Sequence, residues 1–110
     1  MRRLFLALSL LLPVTMLISS ASIAETKLDA SILSYDGKDF VRTETTLMQD
    51  GQSAVGTKLD HDSPAYKALV EKHSYIGPAT VFGHSYQADY APLIGADGKL
   101  TGALFVGVPK

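Results

Sequence analysis

The sequence contains no cysteine. A disulfide framework is therefore excluded, and whatever fold forms must rest on its apolar core or on a partner. Basic charge is also scarce. Ten Lys and Arg residues face eleven Asp and Glu. Setting aside Arg2 and Arg3, which precede the first apolar run, eight basic residues face eleven acidic ones, a net charge of about −3. A nucleic-acid partner rewards clustered positive charge, and no cluster of that kind is present. After Ala24 no apolar run is long enough to span a bilayer. Repeats, low-complexity tracts and linkers are missing too, which leaves no room for a solenoid or a second domain. Ser, His and Asp all occur, but none stands in a nucleophile motif, and the glycines of the last stretch do not follow a phosphate-loop pattern. His61, His73 and His84 are dispersed. The triplet Asp60-His61-Asp62 is contiguous on a loop, and such neighbours rarely converge on one ion. Neither a metal nor a cofactor is expected, and the chain does not read as an enzyme.

The N-terminal stretch reads as a targeting segment. Arg2 and Arg3 form a positive region, Leu4 to Ile18 is strongly apolar, and Ser22-Ile23-Ala24 fits a small-x-small cleavage site. A secretory signal peptide over residues 1–24 is expected, with cleavage after Ala24. A retained anchor is the weaker alternative, because the apolar run falls short of the roughly 20 residues that cross a bilayer. Residues 25–110 then form one small domain, periplasmic or secreted, with no membrane span once the leader is removed.

Along that domain, Glu25 to Ser34 is short and mixed and reads either as a helix end or as the start of a strand. Asp36-Gly37 is a turn signal. Phe40 to Met48 is rich in β-branched residues and reads as a strand, with Phe40, Arg42, Glu44 and Thr46 on one face. Asp50-Gly51 turns the chain, and Ser53 to Leu59 is a short strand or extended segment. Asp62 or Ser63 caps a helix that has Pro64 in its first turn and runs over Ala65 to His73. Tyr75-Ile76-Gly77-Pro78 breaks it. Ala79 to Phe82 is a short strand, and Gly83-His84 a tight turn.

The last stretch carries the clearest signal. Tyr86, Ala88, Tyr90 and Pro92 alternate with Gln87, Asp89 and Ala91 at the period of a strand with two unlike faces. Gly95-Ala96-Asp97-Gly98 supplies a hairpin turn. Leu100 to Val108 is almost wholly apolar, as expected of a strand in the middle of a sheet with little water on either face. The order of elements is that of an α+β domain with one antiparallel sheet.

Four residues stand out as ligand-binding candidates. Arg42 lies inside a strand, and its planar fork can clamp a carboxylate with two hydrogen bonds. The plainer alternative is an exposed arginine paired with Glu44. Tyr75, Tyr86 and Tyr90 each pair an apolar ring with a hydroxyl that can orient a ligand. Tyr86 and Tyr90 point to the same side of their strand, whereas Asp89 points to the other. Tyr75 reads as part of a loop over the pocket. For Tyr66 and Phe82, plain core packing is the better reading.

Asp36 to Leu47, Ser53 to Tyr86 and Tyr90 to Val108 together resemble a Cache domain. The variety is the Cache 3/Cache 2 fusion type found in extracytoplasmic regions of bacterial chemoreceptors and sensor kinases. The resemblance rests on Phe40-Val41-Arg42, Ala54-Val55-Gly56-Thr57, Tyr75-x-Gly77, Phe82-Gly83-x-x-Tyr86 and the Gly98-Lys99-x-x-Gly102-x-Leu104-Phe105-Val106-Gly107 ending, in that order. It implies a PAS-like fold with a pocket between the sheet and its helix-and-loop side. It also implies sensing of a small organic acid or amino acid, serving signal transduction or chemotaxis. The long helix that usually precedes the first strand is missing or reduced to Glu25 to Ser34. The chain stops at Pro109-Lys110, without the transmembrane helix and output domain that usually follow, so a membrane receptor partner or a homodimer is expected. The competing expectation is a protein-interaction module whose pocket is closed.

Overall fold

The computed structural model describes residues 27–110. The expected signal peptide and its cleavage after Ala24 lie outside the described residues. Five strands form one antiparallel sheet. They are β1 (Asp29–Tyr35), β2 (Phe40–Thr45), β5 (Tyr75–Val81), β6 (His84–Ile94) and β7 (Leu100–Pro109). Their order across the sheet is β2-β1-β7-β6-β5. A two-residue hairpin, β3 (Met48–Gln49) with β4 (Gln52–Ser53), and one helix, α1 (Pro64–Val70), fill the connection between β2 and β5. The α+β class with a single antiparallel sheet and one main helix is what the sequence pattern implied.

Strand β7 occupies the centre of the sheet, paired with β1 on one edge and β6 on the other. Close approach is built in at Gly102. A Cβ there would run into the carbonyl of Leu33 on β1, a backbone atom that has no room to retreat. One face of the sheet carries the core: Leu33, Phe40, Tyr90, Ala103 and Phe105, with Leu69 of α1 packed over them. The opposite face is open. Ile32, Leu104, Val106 and Val108 stand exposed on it, and among the described residues nothing covers them. The expectation that Leu100 to Val108 is dry on both faces is therefore corrected. The strand is central in the sheet, but helix and loops cover one side only.

Strand β2 departs from simple alternation. Arg42 pairs with Leu33 and Glu44 with Ile32, so Thr43 is an extra residue in a bulge. The bulge reverses the facing of everything after it. Phe40 and Arg42 point inward and are buried, whereas Glu44 and Thr46 are exposed. The shared face expected of Phe40, Arg42, Glu44 and Thr46 ends at Arg42.

Helix α1 begins as the sequence indicates. Ser63 is the N-cap, its Oγ accepting a hydrogen bond from the Tyr66 backbone N–H at 3.1 Å, and Pro64 opens the first turn. The helix ends at Val70, short of the expected His73. Lys72 follows in a left-handed conformation, φ 66°, that ends the helical path. Seven residues are too few to hold a helix by themselves. It persists because Ala65 and Leu69 are buried against the sheet.

The largest correction concerns β5. Tyr75-Ile76-Gly77-Pro78, read as a break, is the first half of a strand that pairs with β6 over seven residues. Pro78 is tolerated because β5 lies at the edge of the sheet, where one side of the strand needs no donors. It also blunts that edge against pairing with another chain. The turn after β5 is Phe82-Gly83, one residue earlier than expected, since Val81 pairs with His84.

Replacing Gly102 by Ala is expected to destabilise the domain by about 2 kcal/mol, the order found when a well-packed site is overfilled. Urea unfolding followed by circular dichroism measures this, and an unchanged midpoint would contradict the close β1–β7 approach.

Candidate functional site

Between the covered face of the sheet and the helix-and-loop side lies a cleft of about 510 Å³. This falls in the range of small-molecule sites. Arg42 of β2, Tyr75 and Val81 of β5, and Tyr86 and Tyr90 of β6 line it, with Ala65 of α1. The four residues singled out in the sequence are thus brought to one cavity. Tyr75 reaches it from strand β5 and not from a loop. Asp89 faces the other way and is exposed.

Arg42 is the polar centre of the cleft. Only 3% of the residue is accessible. Its backbone is pinned on both sides, its N–H donating to the Thr57 carbonyl at 2.9 Å and its carbonyl accepting from the Gly56 N–H at 2.8 Å. Its Nη1 donates to Thr57 Oγ1 at 3.0 Å, and the Thr57 hydroxyl in turn donates a hydrogen bond to the Ala54 carbonyl at 2.6 Å. The Phe82 ring lies over the guanidinium, with 5.1 Å from Cζ to the ring centroid. The Tyr90 hydroxyl is beside it. Burial pulls the Arg42 pKa below its ordinary value, a pull the Tyr90 hydroxyl partly opposes. Burial also pushes Tyr90 above the usual tyrosine range, with the guanidinium acting against it.

Among the described residues no carboxylate pairs with Arg42. The ion pair there is Lys58 with Asp39 at 3.4 Å, and His61 is hydrogen-bonded to the same carboxylate at 2.6 Å. The expected alternative, Arg42 paired with Glu44 across an exposed face, is overturned by the bulge at Thr43, which leaves the two side chains on opposite sides of the sheet. Hydroxyls and a π face hold the cation in place, but none of them neutralises it.

The three tyrosines play different parts. The Tyr75 hydroxyl donates to the Pro78 carbonyl at 2.7 Å, so its ring lies back along its own strand over Gly77. The Tyr86 hydroxyl donates to Asp29 Oδ2 at 2.9 Å. Burial, reinforced by Asp29, raises its pKa. Both rings contribute wall to the cleft while their hydroxyls are engaged. Tyr90 alone of the three places its hydroxyl with Arg42.

Two contributors were not singled out in the sequence. Phe82, read as core, forms cleft wall directly on Arg42. Thr57 sits in Ala54-Val55-Gly56-Thr57, and its hydroxyl orients the guanidinium. A further cluster flanks the cleft. Asp39, buried at the β1–β2 turn, accepts from His61, which stacks on Tyr66 with centroids 4.2 Å apart. This ties the loop before α1 to the sheet. Dispersed in sequence, His61 gave no sign of it. No group of three His, Cys, Asp or Glu among the described residues is placed to hold a metal ion.

A sheet with one covered face and a cleft of ligand size centred on a buried guanidinium has the form of a small-molecule binding module. The family model of the Cache 3/Cache 2 fusion domain matches residues 24–110, and the chain belongs to that family. Cache domains are extracytoplasmic sensor modules that bind small-molecule ligands and are not enzymes. Comparison with curated proteins and with solved structures gave no match. No helix among the described residues is long and apolar enough to cross a membrane.

Hydrogen bonding to His61 lowers the Asp39 pKa below its ordinary 3.8, with Lys58 adding to the effect. A carboxyl lowered on folding contributes stability that is fully present above pH 3.8 and is lost as the pH falls through the lower folded value. Replacing Asp39 by Asn is expected to make that acid limb shallower, with Asp36, lowered by backbone N–H groups of Asp39 and Lys38, supplying the remainder. Thermal melts between about pH 2 and about pH 6 read this directly.

Proposed function

We propose that the chain is an extracytoplasmic module that binds a small organic anion reversibly, with Arg42 as the clamp. The observation that carries this reading is the buried guanidinium, without a carboxylate partner among the described residues, inside a cleft of ligand size. A buried charge left unneutralised is costly, and an anion entering the cleft removes that cost. Tyr90 stands beside the guanidinium and offers a second hydrogen bond to a carboxylate. The rings of Tyr75 and Tyr86 supply the apolar wall that excludes water, which strengthens the charge pairing. Ligand classes of this chemistry are small carboxylates, dicarboxylates and amino acids. Export by cleavage after Ala24 would place the domain in the periplasm or outside the cell. Occupancy would shift an equilibrium that a partner reads, such as a membrane receptor in a chemotaxis or other signalling system.

A second reading, a protein-interaction module, is favoured by the exposed apolar strip Ile32, Leu104, Val106 and Val108 on the open face. It is compatible with the first, since a sensor can present one face to its ligand and the other to a protein. It predicts self-association of residues 25–110 at micromolar concentration. Sedimentation velocity showing a monomer throughout would remove the homodimer version.

The test of the main reading is a thermal-shift screen of residues 25–110 against acetate, succinate, malate and amino acids. A ligand at about one hundred times its Kd stabilises by about 2.7 kcal/mol, a rise on the order of 10 °C for a domain of this size. The Arg42→Met variant is expected to lose every such shift. Its unliganded melt should rise, by about 1 kcal/mol in stability, because an unpaired buried charge has been removed. No shift with any carboxylate would sink the anion reading, and so would a shift that survives in Arg42→Met.

A further inference from the structure

The turn between β5 and β6 has an unusual first residue. Val81 pairs with His84, which leaves a two-residue loop made of Phe82 and Gly83. Both are left-handed, φ 50° at Phe82 and 81° at Gly83. Positive φ at both central positions is the mark of a type I′ turn, and Asn, Asp or Gly is the residue that normally takes the first of them. A bulky side chain at positive φ is an outlier. Two other non-glycine residues share this conformation, Asp50 and Lys72. Asp50 is of the tolerated type, and Lys72 follows a helix end where such a residue is common. Neither explanation covers Phe82. Local strain of this kind persists where the surroundings over-determine it.

What surrounds Phe82 is the cleft. Its ring is half-buried in the wall and lies over the Arg42 guanidinium at 5.1 Å. Thr57 holds one edge of that guanidinium at 3.0 Å, so ring and hydroxyl fix its plane from two directions. Two carboxylates, Asp60 and Asp62, line the same cleft, and neither forms an ion pair with Arg42.

We propose that Phe82 is a positioning residue for the anion clamp: its strained turn holds a π face against Arg42, which keeps the guanidinium in one fixed orientation toward the cleft. The proposal rests on the reading of Arg42 as the anion clamp, and it adds a role for the turn. It makes the turn a place where backbone comfort is given up for site geometry. Phe82→Asn supplies the residue that a type I′ turn prefers and removes the ring. A merely structural Phe82 predicts a lower melting temperature for that variant. The positioning role predicts a melting temperature equal to or above that of the parent, with the site impaired.

The experiment uses residues 25–110 and two readouts. The first is phenylglyoxal modification followed by mass spectrometry. Arg42 is the single arginine in this stretch, so the label reports on it alone. The second is the thermal shift with sodium acetate and sodium succinate. For Phe82→Asn the expected results are a melting temperature that does not fall, at least tenfold faster labelling and loss of the anion shift. Phe82→Tyr, which keeps the ring, should behave as the parent in both readouts. Should Phe82→Asn fail to fold, Phe82→Leu keeps apolar volume without the π face and is expected to show the same faster labelling and lost shift. Labelling at the parental rate in the ring-less variants overturns the proposal. So does a retained anion shift. A parent protein that responds to neither anion counts against the anion reading of the cleft for these probes, whereas the labelling rates still decide whether Phe82 covers Arg42.

Discussion

The buried guanidinium of Arg42 is the constraint around which the cleft is arranged. A fixed positive charge with almost no access to water has to be held by neutral partners or matched by an opposite charge. Among the described residues the partners are neutral: the Thr57 hydroxyl, the Tyr90 hydroxyl and the Phe82 ring. Each comes from a different element, so the loop after β4, strand β6 and the β5–β6 turn are fixed relative to β2 through one side chain. The backbone bonds of Arg42 to Gly56 and Thr57 tie the same loop again. Removing the charge would loosen this arrangement while relieving its electrostatic burden, a combination typical of sites in which stability is traded for binding.

The rest of the fold follows from covering one face of a sheet only. The core side carries Leu33, Phe40, Tyr90 and Phe105, with the short helix packed over them. The helix is too small to cover the whole face, and the uncovered part, lined by rings, is the cleft. The Asp39–His61 contact holds the loop that leads into the helix, so the cleft wall is anchored outside the cleft itself. Nothing in this scheme requires a cross-link, which accords with a chain that has no cysteine.

Much of this was legible from residue patterns. The β6–β7 hairpin was clear because glycine and aspartate at the turn interrupt two runs of strand character. The helix start was clear from Ser63 and Pro64. That Tyr86 and Tyr90 share a side followed from a period of two. The failures have local physical causes. A bulge leaves no compositional trace, so the facing of Glu44 was misjudged. Gly77 and Pro78 read as a break because sequence does not show which strand is at the edge, where a missing donor does no harm. Phe82 was assigned to the core because its apolar character is visible and its left-handed backbone is not. His61 and Asp39 lie far apart in the chain, and their meeting depends on the completed sheet.

The central position of β7 has a consequence for how the domain comes into being. Its pairing with β1 joins the beginning of the domain to its end, as in Asp29 opposite Gly107 and Ser34 opposite Gly102. Contacts of such long sequence separation form late and slowly, because the intervening chain must first be brought together. Cache domains act outside the cytoplasm, and a polypeptide crossing a membrane through a narrow channel must do so unfolded. A chain delivered N-terminus first can pair β1 with β2 early, but the other edge of β1 waits until β7 emerges. The topology itself thus postpones closure of the sheet until β7 has been delivered, because β7 alone joins the β2-β1 pair to the β6-β5 pair.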